Sequence, residues 1–261
     1  MTACFISSVG IAAPGLAGWN ASLDILRGAA PYVAIAETPY APTLLPPNER
    51  RRATASVRQA FRAAEDAVAG SGGDARELAS VFASSDADMT VLHRICAALA
   101  KEPRVISPTD FHNSVHNAAS GYWSIAVQSQ ALTTTLSAYD ASFTAGLLEA
   151  VGLVDARRDV LLVVYDAVSP QPLLAKRPLA VSASVAVVLS AHARAGALGR
   201  VVIGVGDAPE SQCANPELEA LRTANPALRA LPLFELLAAK RAASVNLRGT
   251  GESQLALSFT P

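Results

Sequence analysis

Residues 131–165 read ALTTTLSAYDASFTAGLLEAVGLVDARRDVLLVVY, and this stretch indicates the fold class. Its first part, Ala131–Leu136, is rich in Thr and Leu, which predicts a strand. Small and apolar residues from Ser142 to Leu153 predict a helix, and the β-branched run Val160–Tyr165 predicts a buried strand. A strand, a helix and a second strand in this order are typical of an α/β domain.

The same alternation extends to both sides of this unit. Apolar residues recur at three- and four-residue spacing over residues 52–69, which predicts an amphipathic helix that ends at Gly70. The other predicted elements are strands at 4–9, 78–83, 181–190, 199–205 and 254–259, and helices at 20–28, 90–100, up to about 129, and 216–240 with interruptions at Pro226 and Pro232. We therefore expect a single α/β domain over residues 1–261, with a mostly parallel sheet covered on both faces.

The composition excludes several classes of function. Of the 261 residues, 51% are hydrophobic and 5% aromatic, as expected for buried strands covered by closely packed helices. The net charge of -1 does not indicate the basic surface that binds nucleic acid. No apolar run approaches the roughly 18 residues of a membrane span. Cys4, Cys96 and Cys213 are odd in number and widely spaced, which argues against disulfides and a zinc site. We expect a cytoplasmic protein without metal or cofactor.

Several short sequence motifs, taken in their order along the chain, resemble those of a known protein family. Residues 5–15 (FISSVGIAAPG), residues 175–190 with AKRPL at their start, and residues 245–259 (VNLRGTGESQLALSF) resemble the first strand, the start of the second half and the final hairpin of β-ketoacyl synthases of the thiolase-like fold. Residues 112–123 (HNSVHNAASGYW) and 137–143 (SAYDASF) resemble the short ketosynthase-like proteins of aryl polyene and related pigment pathways.

This resemblance implies a thiolase-like fold with a near-complete first half, residues 1–165, and a shortened second half, residues 166–261. It also implies a Cys nucleophile at a sharp turn from strand to helix, where the helix N-terminus lowers the thiol pKa. Two His residues, or a His and an Asn, from the second half would complete such a site.

The equivalent turn in this chain does not contain Cys. It runs from Leu136 to Ser142, with Tyr139 at the nucleophile position and Asp140 after it. A phenol is mostly protonated at neutral pH, and a carboxylate is a poor nucleophile for this reaction. After residue 116 the sequence has one His, His192, which directly follows a predicted strand. The resemblance therefore implies a ketosynthase-like chain without the catalytic residues of a condensing enzyme.

Residues around this turn have alternative interpretations. Ser137 and Asp140 have the spacing of a capping box, in which Asp140 would bond helix amides. Tyr139 is either a plug of the acyl tunnel or a buried aromatic residue with a bonded hydroxyl group. Ser142, His116 and Asp140 are the residue types of a hydrolase triad, but the sequence lacks the Gly-x-Ser-x-Gly motif that such a site would need.

The segment before the turn contains two His residues four positions apart, His112 and His116. This spacing suits a metal on a helix, but no third ligand is near in sequence. We instead expect Asn113, His116 and Asn117 to bond backbone groups in a loop and to order a subunit interface. The Gly-Val-Gly of residues 204–206 lacks the third Gly of a dinucleotide fingerprint and predicts a turn.

The strand at residues 131–138 leads to a prediction about partners. In the family that the chain resembles, this strand pairs antiparallel with its copy across a dimer axis. Here it has no Lys or Pro to protect an open edge. We predict a heterodimer with a catalytic ketosynthase, in which this chain resembles a chain-length factor of fatty-acid- or polyketide-type (aryl polyene-like) biosynthesis. The predicted pocket or interface residues are Asn113, His116, Asn117, Leu132, Thr133, Thr135, Leu136, Ser137, Tyr139 and Phe143.

Two other functions stay open from the sequence. One is a stand-alone enzyme that acts on acyl thioesters, and the other is a homodimeric module that binds acyl groups or a carrier protein. The Arg50–Arg52 triplet is either a solvated face or a contact for an acidic acyl carrier protein, since Arg pairs well with carboxylate and phosphate.

Overall fold

The structure is a computed structural model that describes residues 2–261. Ten α-helices and nine strands are found in this part of the chain. The strands are β1 (Thr2–Ala13), β2 (Leu16–Ala17), β3 (Ala79–Ala83), β4 (Thr133–Leu136), β5 (Val160–Asp166), β6 (Ala183–Ser190), β7 (Gly199–Gly206), β8 (Ala243–Arg248) and β9 (Gln254–Thr260). The helices are α1 (Trp19–Leu26), α2 (Pro47–Arg52), α3 (Ala55–Ser71), α4 (Met89–Leu99), α5 (Pro108–Asn113), α6 (Ala118–Val127), α7 (Ser142–Leu153), α8 (Leu173–Lys176), α9 (Pro216–Ala224) and α10 (Leu231–Ala239).

All nine strands belong to one sheet with the order β4-β3-β5-β6-β1-β7-β9-β8, and β2 pairs with β1. Only the pairings of β3 with β4 and with β5 are parallel, so the prediction of a mostly parallel sheet is wrong. The reason lies in the connections, because a parallel return needs a long crossover. The four-residue α8 covers little of the path from β5 to β6, and a short turn joins β8 to β9, so these pairs are antiparallel.

Helices cover both faces of the sheet, as predicted. On one face α3 and α6 pack on the sheet through Phe61 and Trp123, whose rings contact edge to face with centroids 5.2 Å apart. On the other face, α1, α7 and α10 enclose a second apolar cluster that includes Phe143 and Phe234. Gly10 allows α3 to lie directly on β1, because a Cβ at this position would lie 2.0 Å from the carbonyl oxygen of Ala63.

Helix α3 is longer than the sequence pattern predicts. Thr54 caps its N-terminus by accepting a hydrogen bond from the Val57 amide, and the helix continues through Gly70. Gly72, with φ of 65°, is the left-handed residue that ends it. The predicted end at Gly70 is therefore wrong, since this glycine keeps helical geometry while packed near Ser8.

The predicted helical stretch 216–240 consists of α9, a 3₁₀ turn at Pro226–Ala230 and α10. Pro226 interrupts the stretch as predicted, whereas Pro232 does not, because it lies in the first turn of α10, where no intrahelical amide donor is needed. The division into halves at residue 165 stays a prediction; β6, from the C-terminal part, lies between β5 and β1 in the sheet. No helix of residues 2–261 combines the length and apolar character that a membrane span requires.

Candidate functional site

The candidate site lies where the parallel strands β3, β4 and β5 end. Because parallel strands have their carboxyl ends at the same edge of a sheet, the segments that follow them meet there. Ser84–Asp88 follows β3, Ser137–Asp140 follows β4, and Asp166 is the last residue of β5. A bond from the Ser137 hydroxyl to the Ser84 carbonyl oxygen, with the oxygens 2.5 Å apart, joins the first two segments.

Tyr139 has an unusual backbone conformation in this site. Its φ is 53°, which is uncommon for a residue other than glycine, and it forms the bend between β4 and α7. The Ser142 hydroxyl holds the bend by donating to the Tyr139 carbonyl oxygen (2.7 Å) and accepting from the Ala138 amide (3.1 Å). The Tyr139 side chain is 59% exposed, so the interpretation as a buried aromatic residue is wrong.

Arg177, which sequence reasoning missed, packs on Tyr139. Its guanidinium carbon lies 3.6 Å from the centroid of the Tyr139 ring, and a terminal nitrogen donates to Asp140 at 2.7 Å. Arg177 lies in the segment AKRPL that carried the resemblance, but its distance of 38 positions from Tyr139 gave no signal of contact. The stack and the ion pair hold the Tyr139 ring over the bend, since a cation is attracted to the face of an aromatic ring.

The capping-box interpretation of Ser137 and Asp140 is also wrong. Asp140 accepts its hydrogen bond from Arg177, and Ser137 gives its single hydroxyl proton to the Ser84 carbonyl oxygen. Nε2 of His116 lies 2.8 Å from the Ser137 oxygen. Because that hydroxyl proton is already used, Nε2 of His116 is the donor in this contact.

The hydrolase constellation is not assembled in the structure. Ser142 bonds backbone groups of the bend, Asp140 bonds Arg177, and His116 bonds Ser137. His112 lies in α5 and contacts the ring of Tyr122 edge to face, with centroids 6.0 Å apart. Across residues 2–261, no group of three or more His, Cys, Asp or Glu side chains is arranged to hold a metal ion.

Of the three residues predicted to bond backbone groups in a loop, only Asn113 does so through its side chain, and it lies in α5; His116 bonds the Ser137 side chain, and Asn117 acts through its backbone. The buried Asn113 side chain donates to the Arg52 carbonyl oxygen at 3.1 Å, which ties α5 to α2. Asn117 acts through its own carbonyl oxygen, which accepts from the Gly121 amide (2.9 Å) and the Ser120 hydroxyl (3.0 Å). Both residues thus fix the path from α5 to α6. Their role at a subunit interface stays a prediction.

Buried carboxyl groups lie beneath this surface. Asp166 is fully buried, and its Oδ1 accepts from the Ser84 hydroxyl (2.9 Å), the Ser85 amide (2.7 Å) and the Ser85 hydroxyl (2.9 Å). Burial nevertheless raises the pKa of Asp166 to about 7, and the nearby Asp86 carboxylate adds to the increase. Burial also raises the pKa of Asp86, although the Arg177 guanidinium opposes that shift.

None of the three Cys residues supplies a thiol to the bend. Cys4 lies within β1, where burial raises its pKa to about 11. Cys213 is buried in the segment between β7 and α9. Burial, together with the Glu235 and Glu219 carboxylates, raises the pKa of this thiol more than that of Cys4. Cys96 is exposed on α4. A nucleophilic thiol needs a lowered pKa, and the two buried thiols have the opposite shift.

The predicted interface strand is an open edge of the sheet. β4 pairs only with β3; the Ser80 amide of β3 bonds the carbonyl oxygen of Leu132 (2.9 Å), and the Ser84 amide, just after β3, bonds that of Leu136 (3.2 Å). Backbone groups alternate in direction along a strand, so those of Thr133 and Thr135 point away from β3. Leu132 is 47% exposed beside this edge, whereas Phe143 is buried in the core and does not reach a surface.

The solved structures that this chain resembles contain ketosynthases. They include the ketosynthase ApeO in complex with its chain length factor ApeC from Xenorhabdus doucetiae, with a TM-score of 0.73, 22% identity and 99% of each chain covered. The complex AntDE:AntF, a type II polyketide synthase carrier protein with its ketosynthase, has a TM-score of 0.76, 12% identity and 99% coverage of each chain. A β-ketoacyl synthase from Burkholderia phymatum STM815 has a TM-score of 0.69 and 11% identity, with 100% of this chain and 99% of that chain covered.

These similarities define a mixed α/β protein with the thiolase-like ketosynthase fold. The model of the family described as β-ketoacyl synthase, N-terminal domain, matches residues 27–245. The chain therefore belongs to the β-ketoacyl synthase family, as the sequence resemblance predicted. A comparison with curated proteins finds no match.

Proposed function

We propose that this chain is a non-catalytic, chain-length-factor-like subunit. It pairs with a catalytic β-ketoacyl synthase in fatty-acid- or polyketide-type, aryl polyene-like biosynthesis, and it shapes the acyl pocket of the pair. The observation that carries this proposal is Tyr139 at the bend between β4 and α7, with Arg177 stacked on its ring at 3.6 Å. A stacked phenol does not supply the thiolate that accepts the acyl group in a condensing enzyme of this family.

The surroundings of the bend support the absence of condensing chemistry. Asp140, the neighbouring acid, is held in an ion pair with Arg177. His192 follows β6, and its carbonyl oxygen accepts a bond from the Ser190 hydroxyl at 2.8 Å. A condensing enzyme of this family would need imidazole or amide groups at the nucleophile, as the resemblance implies. His116, the imidazole nearest the bend in the hydrogen-bond pattern, donates to Ser137 instead.

The exposed surface beside β4 supports a protein partner. Seven exposed large apolar side chains lie between residues 92 and 132: Leu92, Leu99, Val105, Phe111, Val115, Ile125 and Leu132. The Arg94–Asp110 ion pair (2.6 Å) joins α4 to α5, and a bond between Ser120 and Thr135 (2.9 Å) joins α6 to β4. Three of these residues, Phe111, Val115 and Ile125, line one surface cavity between α5 and α6, and α6 is the helix that is bonded to the open strand β4. Such patches are typical of protein–protein contacts.

A partner strand can bond the outward backbone groups of Thr133 and Thr135, which would extend the sheet across two subunits. The opposite edge of the sheet is less open. At β8 the Asn246 carbonyl oxygen accepts from the Ser211 amide (2.7 Å), and the Asn246 amide donates to the Ser211 hydroxyl (3.0 Å). The unprotected edge at β4 therefore favours pairing there.

A carrier protein is a further partner in this proposal. All three members of the Arg triplet have local bonds: Arg50 donates to the carbonyl oxygens of Thr43 (2.9 Å) and Leu45 (2.8 Å), Arg51 donates to Oδ1 of Asn48, and Arg52 pairs with Glu49 at 3.4 Å. Contact with an acyl carrier protein through this triplet needs rearrangement of those bonds. Three free Cys residues suit a reducing cytoplasm, which we propose as the location.

The proposal is tested by co-expression and an acylation assay. A tagged copy of this chain is co-expressed with a catalytic β-ketoacyl synthase from the same source, and each protein is also purified alone. We expect a stable one-to-one complex and, by intact-mass measurement after incubation with acyl carrier protein substrates, an acyl adduct on the partner only. An acyl adduct or thiol release by this chain alone would identify a stand-alone enzyme. A symmetric dimer that ignores the partner would identify a homodimeric module.

A further inference from the structure

A cavity of about 660 Å³ lies between the outer face of α7 and the strands at the far end of the sheet. Its apolar wall includes Leu136, Leu148, Ile203 and Leu255. This volume is within the range of small-molecule sites, which are mostly apolar with a few polar groups that fix orientation. Leu148 is 53% exposed, although it projects from the same helix that buries Phe143 in the core.

Among the described residues, only one side chain that lines the cavity is charged; the other polar ones are the hydroxyl groups of Thr2, Thr144, Thr250 and Ser253 and the carboxamide of Gln254. Glu149 lines it, and no Lys, Arg or His within residues 2–261 forms an ion pair with this carboxylate. Gln254 also lines it, and Oε1 of Gln254 is buried without a hydrogen-bond partner. The Gln254 oxygen is enclosed by protein, so the acceptor that a ligand in the cavity can reach is the Glu149 carboxylate. A ligand that fits must therefore present hydrogen-bond donors.

We infer that this cavity binds an amphipathic small molecule with an apolar chain and a cationic, donor-rich head group, as in an alkyl amine. The chain lies along Leu148, Ile203 and Leu255, and the ammonium group pairs with Glu149. Charge selects this head group, because a carboxylate head would meet Glu149 with the same sign. This site does not depend on the role of Tyr139.

The inference is tested by titrating the purified chain with octylamine, sodium octanoate and 1-octanol below their aggregation concentrations, measured by calorimetry and ligand-observed NMR. We expect octylamine to bind at least about ten-fold more tightly than octanoate, since charge-assisted bonds are stronger than neutral ones. Glu149→Gln is expected to remove this preference and leave 1-octanol unchanged. Equal binding of the amine and the carboxylate, or no binding of any probe, would overturn the inference.

A matched pair of variants locates the site. Leu148→Trp fills the cavity and is expected to abolish octylamine binding, whereas Leu92→Trp, at a position 46% exposed on α4, is expected to leave it intact. Sedimentation of both variants checks whether another copy covers the cavity. If Leu148→Trp changes the oligomeric state while octylamine does not bind the unaltered chain, the face is a protein contact and the inference is wrong.

Discussion

Tyr139 combines a left-handed backbone conformation with a position just before a helix. The 3₁₀ turn Tyr139–Ala141 leads directly into α7, so amide groups at the start of the helix are near residue 139. The Arg177 guanidinium also lies over this position. Both features favour an anionic side chain at this position, although the native residue is Tyr. We therefore expect this position to stabilise a thiolate when a Cys is placed there.

Replacing Tyr139 with Cys tests this geometry. We expect the new thiol in Tyr139→Cys to have a pKa below that of an ordinary Cys, because helix amides and Arg177 stabilise the thiolate. Alkylation by iodoacetamide at pH 7, followed by peptide mass spectrometry, should then be about ten-fold faster at residue 139 than at Cys96. Cys96 is exposed in the same chain and serves as an internal control. Equal rates at the two thiols would contradict the expectation.

Asp166 leads to a prediction about pH. Its pKa is about 7 in the folded chain, above that of an unfolded Asp near 4, so folding takes up a proton between these values. The free energy of unfolding should fall as the pH rises from about 4 to about 7. Asp166→Asn, which stays neutral and can still accept from Ser84 and Ser85, should show a shallower dependence, because other carboxyl groups with a raised pKa such as Asp86 remain, and it should be more stable than the unaltered chain at pH 8.

Urea unfolding at several pH values measures this effect. Asp74→Asn is a matched control. It removes the same charge, but from an exposed residue in the loop before β3. The control should keep the slope of the unaltered chain. An unchanged slope in Asp166→Asn would show that Asp166 does not take up the proton.

The sequence predicted the identity of the residue at the bend but not its environment. The position of Tyr139 was predicted from the local motif SAYDASF, because the order of residues within a short motif can be read directly from the sequence. Its exposure and the Arg177 stack depend on how residues 167–182 cross the site, and that path is set by tertiary packing. The bonds of Ser137 were missed for the same reason, since Ser84 comes 53 positions earlier.

Among the elements, β4 is the one whose free edge has a functional consequence in our proposal. Thr133 and Ser244 both lie on edge strands with their amides directed away from the sheet, at β4 and β8 respectively. Each also has a side-chain hydroxyl bond of 2.8 Å to the neighbouring strand. Proline at either site removes one outward donor and one hydroxyl group, so the two substitutions are closely matched.

We expect Thr133→Pro to weaken assembly with a catalytic ketosynthase at least about ten-fold, because the partner strand loses a backbone bond and its approach is hindered. Ser244→Pro should leave assembly unchanged. Analytical ultracentrifugation of each variant with the partner measures the affinity, and circular dichroism checks that both fold. If both variants assemble as well as the unaltered chain, the edge of β4 is not the contact.

Strand positions were predicted better than strand directions. Runs of Val and Leu mark β5 and β6 in the sequence, because burial on both faces demands apolar residues throughout. Their antiparallel pairing depends on the connection between them, where α8 is too short to cover the sheet. Composition does not encode that direction. Helix ends are similarly uncertain, as the continuation of α3 to Ser71 illustrates.

For the whole molecule, β1 joins the two parts of the sheet. It pairs with β6 on one side and β7 on the other, so it links the strands near the candidate site to the C-terminal hairpin. Helix α3 lies across it, in contact with both β1 and β6. The stability of the chain as one cooperative unit should therefore depend on the close approach of α3 to β1 at Gly10.

Gly10→Ala tests this dependence. The added Cβ would lie 2.0 Å from the Ala63 carbonyl oxygen and 2.8 Å from the Ala67 amide nitrogen, both rigid backbone atoms of α3. The helix must move away from the sheet, so we expect a loss of about 3 kcal/mol or more in the free energy of unfolding, measured in urea. Gly121→Ala is the control, because its Cβ meets open space within α6 and should stabilise that helix by up to about 1 kcal/mol. Similar midpoints for the two variants would mean that α3 can shift without loss, and β1 would then not couple the two parts of the sheet through this contact.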